Sequence, residues 1–213
     1  MAREINMTRA YHFVPTEFAL QDIRHRRLKI ARLDELNDPF ELWAIAQPDR
    51  RLRDALRHTK DQMAQCYGVL CFSLAWHNPL LWSHYADRHR GIALGFDVSD
   101  EILERISYVE ERATLTRIEF ETAKSLLFTK YVDWKYEQEA RIFVSLDEQD
   151  ASGLYFGDFN ERLILREVIV GTLCRVTSSD LNESLANREG VTFTKARLAF
   201  NTFQIVGDQR GLP

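Results

Sequence analysis

The segment Trp134-Lys135-Tyr136-Glu137-Gln138-Glu139-Ala140-Arg141 places two carboxylates and a guanidinium close together in the chain. Read as an extended strand, it puts Glu137, Glu139 and Arg141 on one face, with Ala140, Ile142 and Val144 on the other. Neighbours on one face then lie roughly 7 Å apart. Paired acids at that spacing can move a proton or stabilise positive charge on a sugar, with Arg141 neutralising one and leaving the other available. The plain alternative is an exposed edge with a surface ion pair worth ~0–1 kcal/mol. Three further groups carry polar chemistry. In Tyr11-His12-Phe13, alternation sets His12 opposite its two aromatic neighbours, as a ligand-binding imidazole or a structural one. Cys71-Phe72-Ser73 is followed by Trp82, Tyr85 and His89 at i, i+3 and i+7, one helical face that can stack on a flat ring or pack on a sheet. Asn37-Asp38-Pro39-Phe40-Glu41 reads as a turn closed by its own Asn and Asp, with Phe40 plugged into the core. Alternatively, Asp38 or Glu41 lines a pocket.

These groups need elements to position them. Arg9–Val14 is rich in aromatic and β-branched residues and predicts a strand. A helix follows from Thr16 to about Arg26, with Phe18 and Ile23 as inward residues. Leu28, Ile30 and Leu33 mark an extended piece ending at Asn37-Asp38-Pro39. Asp49–Gln65 predicts a helix from the stripe Leu52, Leu56, Thr59 and Met63. Tyr67–Leu74 reads as a central strand. Asn78 caps a helix that starts at Pro79, runs to about Arg90 and stops at Gly91. Ile92–Val98 predicts a strand, Glu101–Ile106 a short helix, and Arg117–Tyr131 a helix burying Phe120, Ala123, Leu127 and Tyr131. Strands are expected at Glu139–Leu146, Leu163–Val170 and Val191–Val206, with a helix near Asp180–Arg188. The rhythm is not a regular βαβ alternation, which favours a single α+β domain over residues 1–213.

Composition narrows the function class. The chain has 213 residues, 45% hydrophobic and 28% charged, with a formal charge of −4. That apolar fraction supports a folded core. No run approaches the ~20 apolar residues of a membrane span, and the start lacks a signal-peptide core, so a cytoplasmic location is expected. Three cysteines at wide spacing suggest neither a disulfide framework nor a zinc knuckle. No Rossmann glycine motif, P-loop, nucleophile elbow or zincin motif is present, and no metal is expected. Residues 1–66 are net +2 and the remainder net −6, and the run Arg50, Arg51, Arg53, Arg57 and Lys60 reads as a solvated face or a phosphate-contacting surface.

The order Tyr11-His12-Phe13, Asn37-Asp38-Pro39-Phe40-Glu41, Cys71-Phe72-Ser73, the segment Leu81–Phe96 and Trp134–Phe143 resembles the bacterial domain of unknown function 2971 family over nearly the whole chain. More distantly it resembles the ADP-ribosyltransferase superfamily, which sets Arg or His on its first strand, Ser or Tyr on a middle strand and Glu on a later one. That resemblance implies a mixed, mostly antiparallel split β core with flanking helices. It also implies NAD as a substrate, cleaved at the nicotinamide–ribose bond by a transferase or glycohydrolase, possible in a toxin or anti-phage setting. Glu139 would then stabilise the oxocarbenium-like ribose and Glu137 would act on an acceptor. His12 and Ser73 would hold ribose or carboxamide, Tyr11, Trp82 or Tyr85 would stack on a ring, and Arg141 would fix the carboxylates or meet the diphosphate. The acceptor would be a protein or nucleic acid, and a partner protein in a defence or toxin system is a further expectation. Rival readings are a nucleotide- or nucleic-acid-binding module and a metal-dependent phosphodiesterase or nuclease using His12, His89 and the carboxylates.

Overall fold

A computed structural model describes residues 6–41, 44–46, 49–114, 120–186 and 189–212. In chain order the elements are β1 (Met7–Val14), α1 (Thr16–His25), β2 (Arg27–Lys29), β3 (Ala31–Arg32), α2 (Arg50–Cys66), β4 (Tyr67–Ser73) and α3 (Pro79–Tyr85). Next come β5 (Ile92–Ser99), β6 (Leu103–Arg105), β7 (Ser107–Val109), α4 (Phe120–Leu126), β8 (Thr129–Tyr131) and a 3-10 helix (Val132–Glu137). The chain finishes with β9 (Glu139–Ser145), β10 (Phe156–Asp158), β11 (Leu163–Val170), α5 (Ser178–Leu185), β12 (Thr192–Leu198) and β13 (Ile205–Gly207). The fold is α+β, with mixed, mostly antiparallel strand pairing. Contacts gather into two compact units that alternate along the chain. The first comprises Met1–Leu28, Phe72–Ile102 and Gly157–Pro213, and the second Lys29–Cys71 and Leu103–Phe156.

The first unit is built on the strand order β13-β12-β11-β5-β1. β1 and β5 pair antiparallel from Met7↔Ser99 to Val14↔Ile92. β5 and β11 are also antiparallel, with a bulge between Leu165 and Glu167, whereas β11 and β12 are parallel. Opposed residues share a face, so Tyr11, Phe13 and Ala93 point one way and His12 and Leu94 the other. Trp76, Trp82, Ala93, Ile169 and Ile205 form the core of the first face, with Phe13 edge-on to Trp82 at 5.1 Å between ring centres. α3 starts as its sequence dictates: the Asn78 side chain accepts from the Leu80 N–H at 2.9 Å, and Pro79 takes the first turn. It ends at Tyr85, short of the expected Arg90. Asp87, Arg88 and His89 then adopt left-handed φ values of 42°, 53° and 69°. Gly91 is needed for a close approach, because a Cβ there would sit 2.4 Å from the Val14 carbonyl oxygen.

In the second unit β9 lies between β4 and β6, with β3 also on β4, and β7 and β8 form a parallel pair. Leu33, Ile45, Leu56, Met63, Val69 and Leu127 are among its core residues. α2 begins where Asp49 accepts from the Arg51 N–H at 3.0 Å, and it buries Leu56 and Met63 as the stripe predicts.

Several local expectations are corrected. Residues 103–105 form a strand on β9, not a helix, because the turn closed by Ser99 leaves too few residues for one. The predicted helix over 117–131 begins outside the described residues and ends at Leu126, after which Thr129–Tyr131 is a strand and Tyr131 is exposed. Phe18 is likewise exposed, while Ile23 is buried. The single strand expected over 191–206 is a hairpin, β12 and β13. The last helix ends at Leu185, and its expected end at Arg188 lies outside the described residues.

α1 carries one unusual charge. Asp22 is buried, and burial pushes its carboxyl up to about 7 against the pull of Arg27. A folded value above the unfolded one favours folding at low pH, and that contribution is lost as pH rises through about 7. Asp22→Asn should therefore stabilise the protein at about pH 8, by at most about 4 kcal/mol, and by much less at about pH 5. Urea unfolding at the two pH values measures this, and equal gains at both would refute the assignment.

Candidate functional site

In the second unit the paired acids sit in a buried network of five charges. Arg141, on β9, is 1% exposed, as is Glu41 from the Asp38–Glu41 turn; Lys130 on β8, Glu137 and Glu139 are 3%, 3% and 7% exposed. A guanidinium has five N–H donors, and Arg141 has an acceptor for each. Its Nε donates to Glu139 Oε1 at 2.6 Å, and one terminal nitrogen donates to Glu41 Oε1 and to the Leu127 carbonyl. The other reaches Glu41 Oε2 at 3.2 Å and Glu139 Oε2 at 3.1 Å. Lys130 Nζ lies 2.7 Å from both Glu137 Oε2 and Glu139 Oε2, and 5.2 Å from the centre of the Trp134 ring. The Glu139 N–H donates to the Tyr108 hydroxyl at 2.8 Å.

Local backbone geometry explains how these residues meet. Glu137 ends a 3-10 helix, and Gln138 then turns left-handed at φ 46° before β9 begins at Glu139. Glu137 and Glu139 are therefore not two positions of one strand face, as the extended reading has it. They converge because both reach Lys130. That lysine is the residue the sequence reading missed. Its signal was a lone cation in the run Leu126-Leu127-Phe128-Thr129-Lys130-Tyr131-Val132.

Electrostatics follow the packing. Burial pushes Glu139 up, but Arg141 and Lys130 outweigh it and hold it below the usual carboxylate range. For Glu41 burial wins over Arg141 and its pKa is raised. Burial works against both cations, yet the acids hold Lys130 and Arg141 above their ordinary values. The Cys71 thiol, hydrogen-bonded to Glu139, is pushed up by burial, so it is a poor thiolate. Arg141 thus does not leave one acid open. It grips Glu139 and Glu41 together, and Lys130 joins Glu137 to Glu139.

The turn is inverted relative to expectation. Asp38 is buried and closes the loop, accepting from the Phe40 N–H at 2.8 Å. Phe40, expected in the core, is 54% exposed, and Glu41 takes the inward place. Asn37 lies just before this turn and is exposed.

Tyr11, His12, Ser73, Trp82, Tyr85 and His89 belong to the first unit. Tyr11 and Ser73 are directly opposed and share a face. The Ser73 hydroxyl donates to the Ala75 carbonyl at 2.8 Å. Tyr11 lies across Gly95 towards Glu167, with Arg9 bonded to Asp97 on the same face. His12 faces the opposite side, edge-on to Phe72 at 5.9 Å. Trp82 is fully buried and donates to the Trp76 carbonyl at 2.7 Å, so it offers no stacking surface. Tyr85 is half-buried at the end of α3. His89 lies past that end, in the left-handed turn, so the single helical face expected for Trp82, Tyr85 and His89 does not form. Burial lowers the His89 pKa, and its Nδ1 has no hydrogen-bond partner among the described residues. Among the described residues no three His, Cys, Asp or Glu side chains are placed to hold a metal ion, and no helix is long and apolar enough to cross a membrane.

Compared with known proteins, the chain matches no family model, no curated protein and no solved structure.

Removing one partner from a buried charge pair leaves the other uncompensated, typically a loss of about 3–5 kcal/mol. Arg141→Met should lose that much, while Arg141→Lys, which keeps the charge without the five-donor fork, should lose less. Urea unfolding followed by tryptophan fluorescence tests this. Two variants as stable as the parent would show that the network contributes nothing to folding.

Proposed function

We propose that this chain uses NAD or a related pyridine nucleotide as a substrate and breaks its nicotinamide–ribose bond, as an ADP-ribosyltransferase-like enzyme or an NAD glycohydrolase. On this reading its β core is the split core of that superfamily, and the acceptor is water, a protein or a nucleic acid. The observation that carries the reading is the charge balance of the second unit's buried cluster. Three carboxylates, Glu41, Glu137 and Glu139, face two cations, Lys130 and Arg141.

A dry site with an excess negative charge favours a reaction that develops positive charge. Loss of nicotinamide does this at the ribose, which gains oxocarbenium character. Arg141 and Lys130 hold the acids in place beforehand, so little reorganisation is needed as charge builds. Glu139 is the most exposed of the five charged groups, and its weakest donor is the Cys71 thiol. A ribose hydroxyl that displaces that thiol would gain an ionised acceptor. Glu139 then acts by charge and by holding the sugar, with Glu137 and Glu41 fixing the cations around it. It is not a nucleophile on this reading, because Arg141 and Lys130 occupy its oxygens.

The test is direct. Purified protein is mixed with NAD and free nicotinamide is followed by proton NMR. Release is expected, and Glu139→Gln should slow it by about 10²–10³-fold, the usual effect of losing one charge-stabilising group. Circular dichroism must show that the variant is folded, since this substitution also disturbs the network. Absence of nicotinamide release by the parent protein at millimolar NAD would overturn the proposal.

A further inference from the structure

A cleft of about 320 Å³ opens in the second unit, lined by Phe40, Glu110, Glu111, Arg112, Thr129 and Tyr131 among others. Its volume is at the lower end of the range for small-molecule sites. The backbone that turns Glu41 and Lys130 inward turns Phe40 and Tyr131 outward, leaving these rings 54% and 48% exposed. Two half-exposed aromatic rings beside one cleft are a recognition feature rather than scattered surface residues. The Phe40 ring already attracts a cation: the Arg112 guanidinium carbon lies 4.9 Å from its centre. The described charges on the lining are Glu110 and Glu111 against Arg112, an excess of one negative charge.

We propose that this cleft binds a small organic cation, carried as a guanidinium, a quaternary ammonium or a pyridinium group. The cation sits on the faces of Phe40 and Tyr131, and Glu110 and Glu111 supply the counter-charge. Arg112 is an internal occupant of the Phe40 face, which the ligand displaces. This site is independent of NAD cleavage, because Lys130 and Glu41 turn away from it while their neighbours line it.

Isothermal titration calorimetry with agmatine, choline and 1-methylnicotinamide distinguishes the three cation classes, with AMP as an anionic aromatic control. At least one cation should bind at millimolar concentration or below, more weakly as salt rises, and AMP should not. Phe40→Ala and Glu111→Gln should each weaken binding. Arg112→Ala should tighten it by about two- to fivefold, since a competing cation–π contact is removed. These side chains are exposed, so the variants are expected to fold, as circular dichroism would verify. Failure of all three cations to bind, unchanged affinity in Phe40→Ala, weaker affinity in Arg112→Ala, or binding of AMP in their place would each overturn the proposal.

Discussion

The guanidinium of Arg141 is the constraint on which the second unit depends. Its donors reach the turn at Glu41, the turn after α4 at Leu127 and the start of β9 at Glu139, three separate segments of the chain. Lys130 extends the network to Glu137. Taking these charges out of water is expensive, and the arrangement tolerates it only because donors and acceptors are closely matched. A lysine at 141 would bring the charge without the planar fork, and Glu41 and Glu139 could not both be held in two-point contact. The network ties the loop, the short strands and the sheet into one arrangement, and it fixes the electrostatic sign of the unit's interior.

Alternation in short segments divides that unit into a dry side and a wet side. β8 is three residues long, yet Lys130 is buried while Tyr131 is open to the cleft. The turn does the same with Glu41 and Phe40. Usually the apolar residue would be buried and the charged one solvated. Here the order is reversed at both places, because Arg141 and the acids provide polar partners inside that the solvent would otherwise provide outside.

That reversal explains what could be read from the residues alone. Long periodic segments were legible: the stripe of α2, the apolar run of β4, and the Asn78-Pro79 start of α3 all stand where patterning puts them. The acids and Arg141 were legible as a group, because their types and spacing are unusual. Their pairing was not. It depends on the left-handed residue Gln138 and on Lys130, and neither a positive φ at glutamine nor a buried lysine leaves a periodic trace. Trp82 was not legible for a related reason. The helical spacing it shares with Tyr85 and His89 left stacking on a ligand and packing on the sheet both open, and Trp82 packs in the core, its indole N–H donating to the Trp76 carbonyl. Similarly, the left-handed turn at Asp87–His89 cut α3 short where helical spacing would have carried it on.

The interleaving of the two units sets an order on the ribosome. Every residue of the second unit has been synthesised once Phe156 is added, whereas the first still lacks Gly157–Pro213. That last stretch contains β11, the strand that pairs with β5 along most of its length, together with β12 and β13. A nascent chain therefore holds the complete recipe for the charged interior before β5 can gain its second neighbour. A chain cut after Phe156 would lose β11, β12 and β13 from the first unit and keep the β1–β5 pair, while retaining every residue of the Arg141 network.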